Sequence, residues 1–274
     1  MKLTKSVTYL FCLIQLFGFH PPLVKSKVLL YYPQKESTIQ LFSADIYHEF
    51  LSSHKILTPV ETTEAEMVSR ISNRILQAVV KNDKNKVKSK ELLGYQWEVT
   101  LIAERKIDAW CLPGGKIAVY SSLLPLTQSE ASLAVVLSHV IAHALLNHGD
   151  PRMKTYLKEF MHGKDLSEAN TANPKETKYF FKRAYGNGDY IGVIRAFSPL
   201  DEIEADKLGS IFSALAGYNP IEAIVFWERM DRFKKTGRQP ELLSSHPVDE
   251  NRILKLKEIV DETITKYYKP INKN

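Results

Sequence analysis

The sequence predicts an α+β fold, mainly helical, with a small antiparallel sheet. Three observations carry that reading. Met67, Val68, Ile71, Ile75, Ala78 and Val79 recur at helical spacing and form one apolar face. Residues 128–148, which include LAVVLSHVIAHALLNH, are apolar almost all round, the mark of a central buried helix. Between these two helices QWEVTLIAE alternates, with Trp97, Val99 and Leu101 on one side. Pro113-Gly114-Gly115 then gives a turn before the strand-like KIAVYSS.

The elements follow in order. Lys2 and Lys5 precede an apolar run from Val7 to Phe19, which reads as a secretory signal peptide over residues 1–26 with cleavage after VKS. Residues 27–60 form an N-terminal arm with one short helix, and residues 61–274 the main domain. Thr62 or Thr63 caps the first long helix, and its first turn is acidic. The polar stretch NDKNKVKSKELLG is a loop before the strands. Ser129 caps the central helix, with Gly149 as its stop. Residues 150–198 form a long polar insertion of the kind that makes a lid. PLDEIEADKLGSIFSALAG is a helix ended by Gly217, and Asn219 with Pro220 starts the next one. A loop with His246-Pro247 leads into the last helix.

Composition narrows the function. At 274 residues, with 44% hydrophobic and 25% charged residues, the chain is an ordinary globular one. Its net charge of +6 is scattered rather than gathered in a stripe, and no nucleic-acid-binding motif accompanies it. Of two cysteines, Cys12 leaves with the signal and Cys111 stays alone, so the mature chain has no internal disulfide. No later segment is apolar for the ~20 residues that a membrane span needs.

The chemistry gathers around the central helix. His139 and His143 lie four apart on one helical face, where both rings reach one metal. A bare H-x-x-x-H also describes two satisfied core histidines. The strongly apolar helix, however, leaves two imidazoles in want of partners. Downstream, Glu202 and Asp206 share a face of a second helix. A carboxylate there completes a His-His-Glu site, and an aspartate one turn on orients a ligand histidine. Taken alone, Glu202, Glu204 and Asp206 read equally as an acidic helix start favoured by the dipole. His148, five residues after His143, turns to another face and reads as a solvated helix-end histidine.

The blocks CLPGGKIAVYSSLL, LAVVLSHVIAHALLNHG, EIEADKLG, AGYNPIEAIVFWERM and SSHPVDENRI resemble, in order and spacing, the Ste/HtpX/Oma-type zinc metallopeptidases. This gluzincin family includes CAAX prenyl endopeptidases and soluble periplasmic quality-control proteases. The resemblance covers roughly residues 60 to 265 and implies a zincin-like metallopeptidase domain whose small sheet lies beside the metal helix. It implies zinc as cofactor, His139, His143 and Glu202 as its ligands, and Asp206 behind them. It places Gly115, Lys116, Ile117, Ala118, Val119 and Tyr120 beside the cleft, in a strand that an extended substrate pairs with. His246 matches a histidine that approaches the metal in some relatives; as a residue it equally fits a turn before a helix. The family carries Glu after the first histidine, and this chain has Val140. Valine cannot accept a proton, and general acid–base catalysis contributes typically ~10²–10⁴-fold. Glu204 stands two residues from Glu202 and so points to another face. The expectation is an exported, periplasmic, zinc-binding protein of metalloendopeptidase type. It acts on or binds unfolded or envelope polypeptides, with weak or no proteolysis. The alternative is an active quality-control endopeptidase that uses another base.

Overall fold

The computed structural model describes residues 37–81, 94–186, 196–237 and 239–270. The expected signal peptide, the start of the arm, most of the NDKNKVKSKELLG loop and part of the insertion lie outside these residues. Helix α1 (Thr38–Ser52) leads to β1 (Ile56–Leu57) and α2 (Thr63–Lys81). Strands β2 (Glu98–Ile102), β3 (Ala109–Leu112) and β4 (Lys116–Tyr120) follow, and then α3 (Glu130–Leu145). The described residues of the insertion include α4 (Asp150–Phe160), α5 (Leu166–Ala172) and α6 (Pro174–Tyr185). Helices α7 (Pro199–Leu215), α8 (Ile221–Lys235) and α9 (Glu250–Tyr267) close the chain. No single helix among the described residues is long and apolar enough to cross a membrane.

The sheet is mixed rather than antiparallel, in the order β1-β2-β4-β3. β1 runs antiparallel to β2, and β3 antiparallel to β4, but β2 and β4 pair in parallel, with Val99 opposite Ile117 and Leu101 opposite Val119. After β2 the chain goes first to the outer edge as β3. The Pro113-Gly114-Gly115 turn then brings β4 back into the gap. Gly115 sits at φ +84, and a Cβ there would stand 2.7 Å from the Trp97 ring, so the turn accepts only glycine. Parallel pairs need cover on both faces, and β2 and β4 are buried throughout. Val99, Leu101, Ala109, Ile117 and Val119 face a core shared with α2, α3, α7, α8 and α9. Ile102, Trp110, Leu112, Ala118 and Tyr120 face a second core, built with α1 and the insertion helices.

Helix α3 is buried at every residue from Ser132 to Leu145. The Ser129 hydroxyl accepts the Ser132 amide at 3.0 Å, a side-chain cap at the expected place. Its C-terminal end differs from expectation. Asn147 takes a left-handed φ of 56° and ends the helix before Gly149, whose φ of −78° is ordinary. Gly149 is small for a different reason: the Tyr185 ring occupies the place of its Cβ. Helix α7 starts with a capping box in which Ser198 Oγ accepts the Asp201 amide and Asp201 Oδ2 accepts the Ser198 amide. Helix α7 crosses α3 at Gly209, where an added Cβ would lie 2.9 Å from both N and Cα of His139.

Backbone cannot yield at that crossing as a side chain can. Gly209→Ala is expected to destabilise the domain by about 1–3 kcal/mol through overpacking, seen as a lower urea midpoint.

Candidate metal centre

Helix α3 contributes His139 and His143, α7 contributes Glu202, and the turn before α9 contributes His246. The sequence separates these residues by up to 107 positions, and the fold brings one atom from each to within 4.8 Å of all the others. His139 Nε2 lies 3.1 Å from His143 Nε2 and 3.1 Å from His246 Nδ1. Glu202 Oε1 lies 3.0 Å from His246 Nδ1 and 3.5 Å from His143 Nε2, while Oε2 lies 3.4 Å from His139 Nε2. All four residues are buried, none more than 5% exposed.

These spacings test whether a metal fits. Donors about 2.0–2.1 Å from a tetrahedral zinc stand about 3.3 Å from one another, close to the 3.0–3.5 Å of the contacts above. Three imidazoles and a carboxylate are also a donor set that suits zinc. His139 Nδ1 lies 3.0 Å from Asp206 Oδ1, the carboxylate placed to hold its proton when Nε2 is turned to a metal.

Charge is arranged to match. Arg252, from the first turn of α9, is buried and grips Asp206 in a fork, Nε to Oδ2 at 2.8 Å and Nη2 to Oδ1 at 2.9 Å. Its Nη1 contacts Glu202 Oε2 and donates to the Pro247 carbonyl at 2.8 Å. The guanidinium lies 4.0 Å over the Trp227 ring, which in turn packs on His139. Two carboxylates against one guanidinium leave one net negative charge at the buried site, favourable for a cation. Burial, the largest single influence, would raise the Glu202 and Asp206 carboxyls, but the Arg252 charge together with the facing histidines outweighs it and holds both below their ordinary range. Burial pulls the His143 and His246 imidazoles below theirs, only partly offset by Glu202, so both stay neutral. Burial would lower His139 as well, yet its bonds to Asp206 and Glu202 win and raise it.

The fold thus gathers His139, His143, Glu202, Asp206 and His246. Val140 is 1% exposed and lines a small recess with Trp110, Cys111, His143, Phe197 and His246. The expected substrate strand needs correction. Residues Gly115–Tyr120 run inside the sheet, and β4 has a neighbour on each side, so no chain can add to it. Lys116 is buried, its ammonium donating to the Gln96 carbonyl at 2.6 Å and to Glu98 at 3.0 Å. Among the described residues the sheet edge beside the recess is β3, which carries Trp110 and Cys111.

Three participants escaped sequence reasoning. Arg252 lay within a recognised block without an assigned role. Phe197, just before α7, stacks on His143 with ring centroids 4.0 Å apart and donates its amide to the Ser245 carbonyl. His148 is 7% exposed rather than solvated.

Without Arg252 two buried carboxylates would stand side by side. Arg252→Met is expected to destabilise the chelator-treated protein by about 3–5 kcal/mol, and added zinc to restore part of the loss. Urea unfolding with and without zinc checks both.

A model of peptidase family M48 matches residues 70–260, a span that contains all four donors. The chain is 28% identical over 225 residues to the mitochondrial metalloendopeptidase OMA1 of Schizosaccharomyces pombe, covering 81% of this chain and 61% of that protein. It is 26% identical over 185 residues to the mitochondrial metalloendopeptidase OMA1 of Homo sapiens, covering 61% of this chain and 33% of that protein. It is also 25% identical over 162 residues to the beta-barrel assembly-enhancing protease of Escherichia coli, covering 56% of this chain and 32% of that protein. The chain therefore spans between a third and three fifths of these relatives. Since the family match takes in most of the described domain and every donor of the buried cluster, the chain belongs to peptidase family M48.

Proposed function

We propose that this chain is a zinc-holding protein of metalloendopeptidase type that binds polypeptides and has lost most or all peptide hydrolysis. One observation carries this reading: a buried valine, Val140, stands where the reaction needs a proton acceptor. Zinc, on which the family depends, supplies a Lewis acid when bound. His139, His143 and Glu202 would hold it, with His246 as a fourth donor and Asp206 behind His139. Catalytic zinc sites have three protein ligands and an open position, whereas sites with four protein ligands are structural. His246, 3% exposed and 3.0 Å from Glu202, fits the closed kind.

The chain's own residues offer no replacement base among those described at the centre. Glu202 and Asp206 are held by Arg252. Glu204 lies 3.3 Å from His148, behind His143 and away from the recess at Val140. The Cys111 thiol borders that recess, but burial raises it far beyond the range in which it would ionise. What borders the recess is β3, the edge strand among the described residues, a place for an extended segment to pair.

Unfolded or envelope polypeptides are the proposed clients, and the periplasm the proposed location. Lys2, Lys5 and the apolar run Val7–Phe19 support export. The Escherichia coli relative is named for enhancing beta-barrel assembly.

Purified protein is expected to hold about one zinc per chain. On unfolded casein, Val140→Glu should gain cleavage over the native sequence, reaching about 10²–10⁴-fold when His246→Ala also opens the fourth position. Efficient cleavage by the native sequence, abolished in His143→Ala, would instead favour an active peptidase with another base.

A further inference from the structure

The two histidines of α3 are supported differently. His139 meets a carboxylate directly, Asp206. His143 does not. Its Nδ1 faces another imidazole, with His148 Nδ1 2.8 Å away. His148 Nε2 in turn lies 3.3 Å from Glu204 Oε2 and 4.0 Å from Asp201 Oδ1. On a straight helix, a residue five positions on would point elsewhere. Here the helix stops at Leu145 and Asn147 takes its left-handed turn, so the His148 amide returns to the His143 carbonyl at 3.2 Å. That turn folds the His148 ring back under His143, where it is 7% exposed. The two rings meet edge to face, 4.8 Å between centroids.

If His143 keeps Nε2 free for a metal, the contacts on its other side fix the placement of protons. A neutral imidazole that presents the Nε2 lone pair to a metal carries its proton on Nδ1. The His143 Nδ1–H then donates to His148 Nδ1, which must be bare. His148 therefore carries its own proton on Nε2, directed at the Glu204 carboxylate. Glu204 is half exposed, so the chain of contacts runs from the buried donor cluster to the protein surface.

We infer that His148, anchored by Glu204, is the positioning residue of His143: it fixes the tautomer and the ring orientation that present Nε2 to the metal. This rests on the zinc reading given above. Metal-ligating histidines generally give their second nitrogen to a carboxylate or carbonyl, and loss of that partner costs 10–100-fold in metal affinity. Here a second imidazole is interposed between ligand and carboxylate. Phe197, stacked on the His143 face, restricts ring rotation, but it offers no acceptor for Nδ1–H.

The test uses the full chain and zinc alone. Long-range ¹H–¹⁵N correlation of the zinc-loaded protein should show His148 protonated at Nε2 and bare at Nδ1; the opposite tautomer overturns the inference and needs no variant. Chelator competition should then give zinc binding about 10–100-fold weaker in His148→Phe, which keeps the ring bulk without an acceptor. The cobalt absorption spectrum should change with it. His148→Gln, whose carbonyl can accept Nδ1–H, should recover most of the affinity, and Glu204→Ala should lose less than His148→Phe. Zinc binding by His148→Phe within twofold of the native sequence, with an unchanged cobalt spectrum, would sink the inference while leaving the zinc site intact. A native chain that takes up no zinc would overturn the zinc reading and this pairing together.

Discussion

Helix α7 lies against α3 at a distance that only glycine permits, with Gly209 resting on the backbone of His139. The rest of the centre depends on that contact. A carboxylate is a short donor, and Glu202 can stand 3.4–3.5 Å from two imidazoles of another helix only if the two backbones nearly touch. The same approach sets Asp206, one turn further along α7, behind the ring of His139. One missing Cβ thus fixes both the donor set and the support of its first histidine.

Close approach also brings two buried carboxylates together, and Arg252 resolves the conflict. Its planar fork serves Asp206 with two donors, while the remaining nitrogen reaches Glu202 and the Pro247 carbonyl. A lysine could not hold both carboxylates in a fixed plane. Because Arg252 follows His246 by six residues, the clamp also ties down the turn that delivers His246. Its amide is held by Asp249, the cap of α9, so the start of that helix orders the fourth donor.

Local pattern made much of this legible. The cap at Ser129, the face of α2, the strand at KIAVYSS and the grouping of His139, His143, Glu202 and Asp206 could all be read from spacing and composition, or from resemblance on those spacings. What escaped depends on distant pairing. Alternation marks Lys116–Tyr120 as a strand but does not say that it has neighbours on both sides. Helical periodicity sends position 148 away from 143, and only the left-handed Asn147 reverses this. Arg252 looks like any basic residue in the first turn of an amphipathic helix. Its partners lie 46 and 50 positions earlier, beyond any local window.

The sheet faces two cores, and its strands supply alternate residues to each. Each β-strand is therefore a party wall. Disrupting the core under α1 and the insertion bares one face of the same strands whose other face supports the metal helix. Neither half owns a wall of its own, so neither can come apart without weakening the other. Two cores divided in this way lean on one sheet, and the insertion, far along the chain from α1, supports the metal helix through that sheet as well as through Phe197 against His143.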